Sequence, residues 1–381
     1  MNGIFAATAS GGAGNDYFCR TRENWTVTSM NRNDYMVLVN CMTYNQSKYI
    51  LDALNGFVMQ KTNFPFVCLV MDDASTDGEQ EVIKDFLERE CAMESAELSE
   101  IEEANIVVVS HKTNPNCTMA VYFLKKNLYG TDKKEPLIAP WRECCKYAAM
   151  CEGDDFWTAP NKLQKQYDAL ESNPKCTICF NRVKVVQKDG TTPYFNIPRQ
   201  NCSFDEGYVS LCDLAREEYL WQHWCFHTSS FFMKIEIAKS YKMFWKEIVP
   251  SFPYGDMPLQ MCALSNGSGY FISEEMGCYR WLSGGWNSAM QSNDSLKVMM
   301  EKKVIRGFRE FDRYTHRAYH RQIKHHILIK KYYIIHHGHS IWYKFIVIDY
   351  PRYKRRLIDI VKFHLPRTYS LLKNIIKISA V

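Results

Sequence analysis

No stretch of this sequence approaches the roughly 18–20 consecutive apolar residues of a membrane-spanning helix, so a helical integral membrane protein is excluded as a reading. The first residues have no charged segment followed by an apolar one and do not read as a signal peptide. Internal repeats and long low-complexity segments are also missing, which sets aside solenoids and fibrous arrays. The lone Cys176-x-x-Cys179 has no second pair at zinc-knuckle spacing. The fifteen cysteines are odd in number and scattered. A disulfide scaffold would be shorter and more regularly spaced. They are read as buried thiols in a reducing compartment, which points to the cytoplasm.

What is present is the composition of a globular protein: 381 residues, 46% hydrophobic and 23% charged, long enough to bury a core without disulfides. The net charge of +5 is unevenly divided. Residues 299–381 hold 19 Lys+Arg against 5 Asp+Glu, a balance of +14, and eight of the eleven histidines. The remainder is acidic. This division predicts a globular domain over 35–298 and a basic, aromatic helical extension over 299–381. Residues 1–34 are polar and rich in small residues, and are expected to be disordered. Met30 stands just before the first strong strand and is a candidate start of the chain.

Apolar runs of strand length alternate with helical patterns. Strands are predicted at Met36–Cys41, Phe66–Met71, Ile106–Val109, Tyr147–Cys151 and Thr177–Phe180. Helices are predicted at Ser47–Gln60, Glu79–Glu90 and Lys162–Glu171, with a helical or mixed stretch from Thr118 to about Leu128. Continuous apolar strands between helices imply an α/β fold with a mostly parallel sheet covered on both faces. In such sheets ligands bind at the carboxyl ends of strands.

Two strand ends carry clustered carboxylates. The second strand runs into Asp72-Asp73-Ala74-Ser75-Thr76-Asp77-Gly78. Residues 75–78 suit either a ligand loop or a polar turn capping the next helix. A second carboxylate at a strand end is costly without a partner, so Asp73 is a candidate for a nucleobase or ribose. The fourth strand runs into Glu152-Gly153-Asp154-Asp155-Phe156-Trp157. Three carboxylates in four residues repel one another unless a cation or donors lie between them. Hard oxygen ligands around a tight glycine turn suit Mg²⁺ or Mn²⁺ on a diphosphate. Asp256, in Pro253-Tyr254-Gly255-Asp256-Met257, is placed either to cap a helix over 257–264 or to take a proton.

In this order and spacing, the Thr43-Tyr44-Asn45 loop, the DDxSTD motif and Glu-Gly-Asp154-Asp155-Phe-Trp-Thr-Ala-Pro160 resemble glycosyltransferase family 2 with the GT-A fold. The segment KYAAMCEGDDFWTAPNKLQKQYDALE looks like members that build bacterial surface polysaccharides, and the resemblance spans roughly residues 35–290. It implies a GT-A, Rossmann-like fold and a metal-dependent, inverting transfer of sugar from a nucleotide-sugar donor, UDP-sugar favoured, to a glycan or lipid-linked acceptor. It assigns Thr43, Tyr44 and Asn45 to the first nucleotide loop and Asp73 to the base. Asp154 falls near ribose and metal, Asp155 on the metal, and Asp256 is the general base. Glu152 stands where the family often has aspartate. Tyr279-Arg280-Trp281-Leu282-Ser283-Gly284-Gly285-Trp286 resembles a later loop of the family, with Arg280 toward the diphosphate or an acceptor lid. Leu282 replaces a frequent histidine there.

His223 and His227 flank Trp224 and Phe226, and suit an acceptor pocket or a structural role equally. The basic tail suits an anionic membrane surface or a solvated helical hairpin packed on the domain. The alternative to an enzyme is a non-catalytic scaffold whose tail binds nucleic acid or membrane. The acidic loops disfavour nucleic acid, because without a cation they repel phosphodiesters, and no RNA-recognition motif is present.

Overall fold

A computed structural model describes residues 35–198, 205–214, 226–282 and 293–337. The expectations for 1–34, His223, Gly284–Gly285 and 338–381 lie outside the described residues.

The strands are β1 (Val37–Thr43), β2 (Phe66–Asp72), β3 (Glu97–Glu100), β4 (Ala104–Ser110), β5 (Cys117–Leu124), β6 (Tyr147–Met150), β7 (Phe156–Trp157), β8 (Cys176–Val186), β9 (Pro193–Ile197), β10 (Gly207–Val209), β11 (Phe232–Lys234) and β12 (Ser268–Arg280). They form one sheet in the order β10-β12-β8-β11-β6-β1-β2-β5-β4-β3, with β7 on β12 and β9 on β8. The helices are α1 (Ile50–Val58), α2 (Glu79–Glu90), α3 (Glu135–Glu143), α4 (Lys162–Ser172), the one-turn α5 (Leu211–Leu214), α6 (Ile235–Met243), α7 (Asp256–Ser265), α8 (Asp294–Tyr314) and α9 (His320–His337).

The fold is α/β, with helices on both faces of the sheet. All seven residues of β2 are buried. Because strand side chains alternate, Val67, Leu69 and Met71 enter one core while Phe66, Cys68 and Val70 enter the other. The second core is closed by α1, α2 and α4, through Leu54, Phe57, Phe86 and Leu163. The first is closed by α3, α6, α7 and α8, through Trp141, Ile237, Leu259 and Phe308. Strands β6, β1, β2 and β5 are parallel. Beyond them the pairing becomes mixed: β11 is antiparallel to both β6 and β8, and β4 is antiparallel to both β5 and β3.

The stretch expected to be helical or mixed from Thr118 is instead β5, eight residues paired between β2 and β4. Its run CTMAVYFL is apolar on both faces and so has no outward polar face of the kind an amphipathic surface helix shows. The helix α8 begins at Asp294, so the 298/299 division falls inside it, and Val304, Phe308 and Phe311 belong to the first core.

Register sets the position of the site. Thr43 lies opposite Asp72, and Asn40 opposite Met150, so β1, β2 and β6 end at the same edge.

Candidate active site

Past the end of β6 the chain turns sharply at Gly153, whose N–H donates to Met42 O at 3.2 Å. A Cβ on Gly153 would overlap Thr43 and come within 2.5 Å of Gln46 Oε1. Only glycine lets the acidic loop lie this close to the end of β1. The turn gathers Glu152, Asp154 and Asp155, each offering an oxygen within 4.8 Å of the others.

Asp155 is fully buried. Its Oδ1 accepts the backbone N–H of Arg280 at 3.1 Å, whereas its Oδ2 has no hydrogen-bond donor. Burial, then the Asp154 and Glu152 charges, hold its carboxyl well above the usual range. Asp154 is half-buried and also raised by burial, with Arg280 and Gln46 acting in the opposite direction. Glu152 keeps solvent access, yet its crowded setting desolvates it. Together with the Asp154 and Asp256 charges, this pushes it up to about 7. His227 Nδ1 lies 3.7 Å from Asp155 Oδ2. Burial lowers its pKa to about 3, so it stays neutral and supplies no counter-charge. Three converging carboxylates, one with an unpartnered buried oxygen, form a hard-oxygen set that fits Mg²⁺ or Mn²⁺.

Arg280 lies behind this loop. Its Nη1 donates to Asp154 O at 2.7 Å and its Nη2 pairs with Asp52 at 2.5 Å. Its guanidinium lies 4.8 Å from the Tyr49 ring and 4.9 Å from the Phe156 ring. With its side chain almost fully buried, Arg280 braces the acidic loop from within.

Two neighbouring loops are tied together by Glu79, the first residue of α2. Its carboxylate accepts from Thr43 Oγ1, from Gln46 N at 2.8 Å and from Ser75 Oγ at 2.8 Å. Asn45, in the left-handed region at φ 54°, accepts Thr76 N on its Oδ1 at 2.8 Å and donates its own N–H to Ser75 Oγ. Tyr44 is exposed beside them. The first-loop residues Thr43, Tyr44 and Asn45 therefore sit at the same edge as the carboxylates. The clamp residues Glu79 and Gln46 were not singled out from the sequence. A glutamate directly after Gly78 was the available signal.

Asp73 is buried, and both its oxygens are engaged, by Leu128 N at 2.7 Å and Lys134 Nζ at 2.6 Å. Asp72, passed over in the sequence, accepts from Gln80 and Ser75 on Oδ1 while its buried Oδ2 has no donor. Asp256 is the first residue of α7, after Gly255 at the cap position. It is half-buried, and its carboxyl rises to about 6 through burial, opposed by the Met257 N–H. Its charge adds, after burial and Asp154, to the rise of the Glu152 carboxyl.

No family model matches the chain. An uncharacterized protein of Mycobacterium tuberculosis and one of Mycobacterium bovis are each 34% identical over 149 residues, 39% of this chain. The match spans 35% of the length of these curated relatives. Among solved structures, S. aureus TarS in complex with UDP-GlcNAc is 13% identical with a TM-score of 0.45, covering 78% of this chain and 81% of that one. The mannosyltransferase PcManGT from Pyrobaculum calidifontis, in complex with GDP-Man and Mn²⁺, is 12% identical with a TM-score of 0.45, covering 89% and 84%.

Proposed function

We propose that this chain is a glycosyltransferase that moves a sugar from a nucleotide-sugar donor, a UDP-sugar being favoured, to a hydroxyl of a glycan or lipid-linked saccharide. The observation that carries this reading is the convergence of Glu152, Asp154 and Asp155 within 4.8 Å at the carboxyl edge of the sheet. The sequence resemblance assigns Asp154 and Asp155 to donor and metal, and Asp256 to the general base.

Asp155 and Asp154, with Glu152 beside them, would hold Mg²⁺ or Mn²⁺. When bound, such a cation supplies positive charge that stabilises a departing diphosphate. In this reading, taken from the resemblance, Thr43 to Asn45 contact the nucleoside and Asp73 its base, although Leu128 N and Lys134 Nζ engage both Asp73 oxygens in this structure. Arg280 keeps Asp154 and Asp155 in place from behind.

Asp256 accepts the proton of the acceptor hydroxyl. The acceptor hydroxyl oxygen forms the bond to the anomeric carbon as the anomeric carbon–oxygen bond to the diphosphate breaks. The electron pair leaves with the nucleoside diphosphate, and a single in-line displacement inverts the anomeric centre. A carboxyl pushed up to about 6 is a stronger base than an ordinary aspartate and is still ionised at neutral pH. The reading includes surface-polysaccharide assembly in the cytoplasm, with the basic C-terminal segment toward an anionic membrane. The twelve cysteines among the described residues are free. No helix among the described residues is long and apolar enough to cross a membrane.

The test is thermal stabilisation by UDP and by a panel of nucleotide sugars, with Mn²⁺ or Mg²⁺ against EDTA. A ligand at about 100 times Kd adds roughly 2.7 kcal/mol. Stabilisation is expected only with the cation; equal stabilisation in EDTA would remove the metal from the site.

A further inference from the structure

We propose that α8 positions the Asp256 carboxylate, with Glu310 as the positioning residue acting on the loop that delivers Asp256. This rests on the reading of Asp256 as the general base.

The loop of residues 249–255 leads directly into α7. On one side α8 holds it. Glu310 is half-buried, and its carboxylate accepts Ser251 N on Oε2 at 3.1 Å and Ser251 Oγ on Oε1 at 2.5 Å. Two residues back, the Phe308 ring meets Phe252 edge-on, with centroids 5.2 Å apart at 77°. Phe252 also lies against Gly307, where a Cβ would come within 2.5 Å of its ring. From the other side Trp245 Nε1 donates to Phe252 O at 3.0 Å, and its ring sits 2.9 Å from where a Cβ on Gly255 would stand. The loop is thus pinned at Ser251, Phe252 and Gly255, directly before Asp256.

The helix α8 is itself seated through Glu301, whose two oxygens lie 3.0 and 2.9 Å from Lys330 Nζ on α9. The donor-side carboxylates are therefore set by the sheet and the base by the C-terminal helices. Replacing Glu310 by alanine takes the acceptor from both Ser251 donors. The loop is then free to shift while β1, β2 and β6 keep their places. A misplacement near 1 Å at a reacting group is worth about 100-fold in rate.

The experiment compares wild type, Glu310→Ala and Glu310→Gln in the full chain. Its readouts are melting temperature, UDP binding with Mn²⁺, transfer kinetics and amide hydrogen exchange by mass spectrometry. For Glu310→Ala, kcat is expected to fall by about 100-fold with the donor KM and UDP binding unchanged. Exchange should accelerate within residues 249–258. Glu310→Gln keeps an acceptor oxygen and should recover most of the rate. Unchanged exchange in 249–258 with unchanged kcat would overturn the proposal. So would accelerated exchange across the whole chain with loss of UDP binding, since that marks a purely structural residue. If wild type transfers no sugar from any donor, the functional reading fails separately, and exchange in 249–258 alone decides whether α8 holds the loop.

Discussion

Gly153 has no room for a methyl group, because Thr43 and Gln46 already occupy the place where one would sit. Gly153→Ala must push the acidic loop away from β1. Overpacking of this kind costs about 1–3 kcal/mol, and the displaced carboxylates should bind Mn²⁺ and UDP more weakly. Urea unfolding and a thermal-shift titration would measure the two effects. Asp256→Asn is a nearly isosteric change that removes a proton acceptor. Donor binding should persist while transfer falls by about 10²–10⁴, which is checked by calorimetric donor affinity alongside transfer rates. The motif carboxylates were legible because like charges in a row demand an explanation from composition alone. The bracing by Arg280 and the clamp by Glu79 were not. Each depends on a partner far along the chain, Asp52 in one case and Thr43 in the other, and local pattern says nothing of either.

Among the elements, α8 shows how a strong signal can hide another. Its residues Met300, Val304, Phe308 and Phe311 recur at helical spacing, and all are buried. The basic charge of the same stretch is the more conspicuous signal and points to an extension, while Val304, Phe308 and Phe311 join the first core. Likewise β5 reads ambiguously, since a short, continuously apolar run fits a buried strand or a buried helix. Its place between β2 and β4 decides the matter. The contact between α8 and α9 includes a buried ion pair, Glu301 with Lys330 at 2.9 Å; burial raises the Glu301 carboxyl and lowers the Lys330 ammonium, so each charge depends on the other to stay there. Breaking such a pair leaves one charge buried without its partner. Lys330→Met should therefore lose about 3–5 kcal/mol, while the double variant Glu301→Leu/Lys330→Met returns to wild-type stability or above. Equilibrium urea unfolding of the three proteins would show it. A double variant no more stable than the single one would mean the pair is not the source of the loss.

For the molecule as a whole, the α/β class was legible from the alternation of apolar runs with helical patterns. The mixed edges of the sheet were not. Pairing β8 with β12, and inserting β11 antiparallel beside β6, joins segments far apart in sequence. The assembled site also gives the protein a pH signature. Burial raises Glu152 to about 7 and Asp256 to about 6. Between the ordinary carboxylate range near ~4 and about 7, the native state holds more protons than the unfolded chain. Stability without metal should therefore fall as pH rises through that window. A divalent cation needs the ionised carboxylates, so its stabilising effect should grow from about pH 5 to about pH 7.5. Melting temperatures with Mn²⁺ and with EDTA across that range are the measurement, and a pH-independent difference would place the cation elsewhere.

The N–H that fixes Asp155 belongs to Arg280, 125 residues further along the chain and at the end of the last strand. On the ribosome, the acidic loop emerges long before the backbone group that aligns it. The clamp of Glu79 onto Thr43 and Gln46 can close early, because all three lie within the first two βα units. The clamp between the first loop and α2 is thus an early product of synthesis, and the alignment of the acidic loop a late one. An arrested chain ending before β12 would present unaligned carboxylates that repel one another and hold a cation poorly.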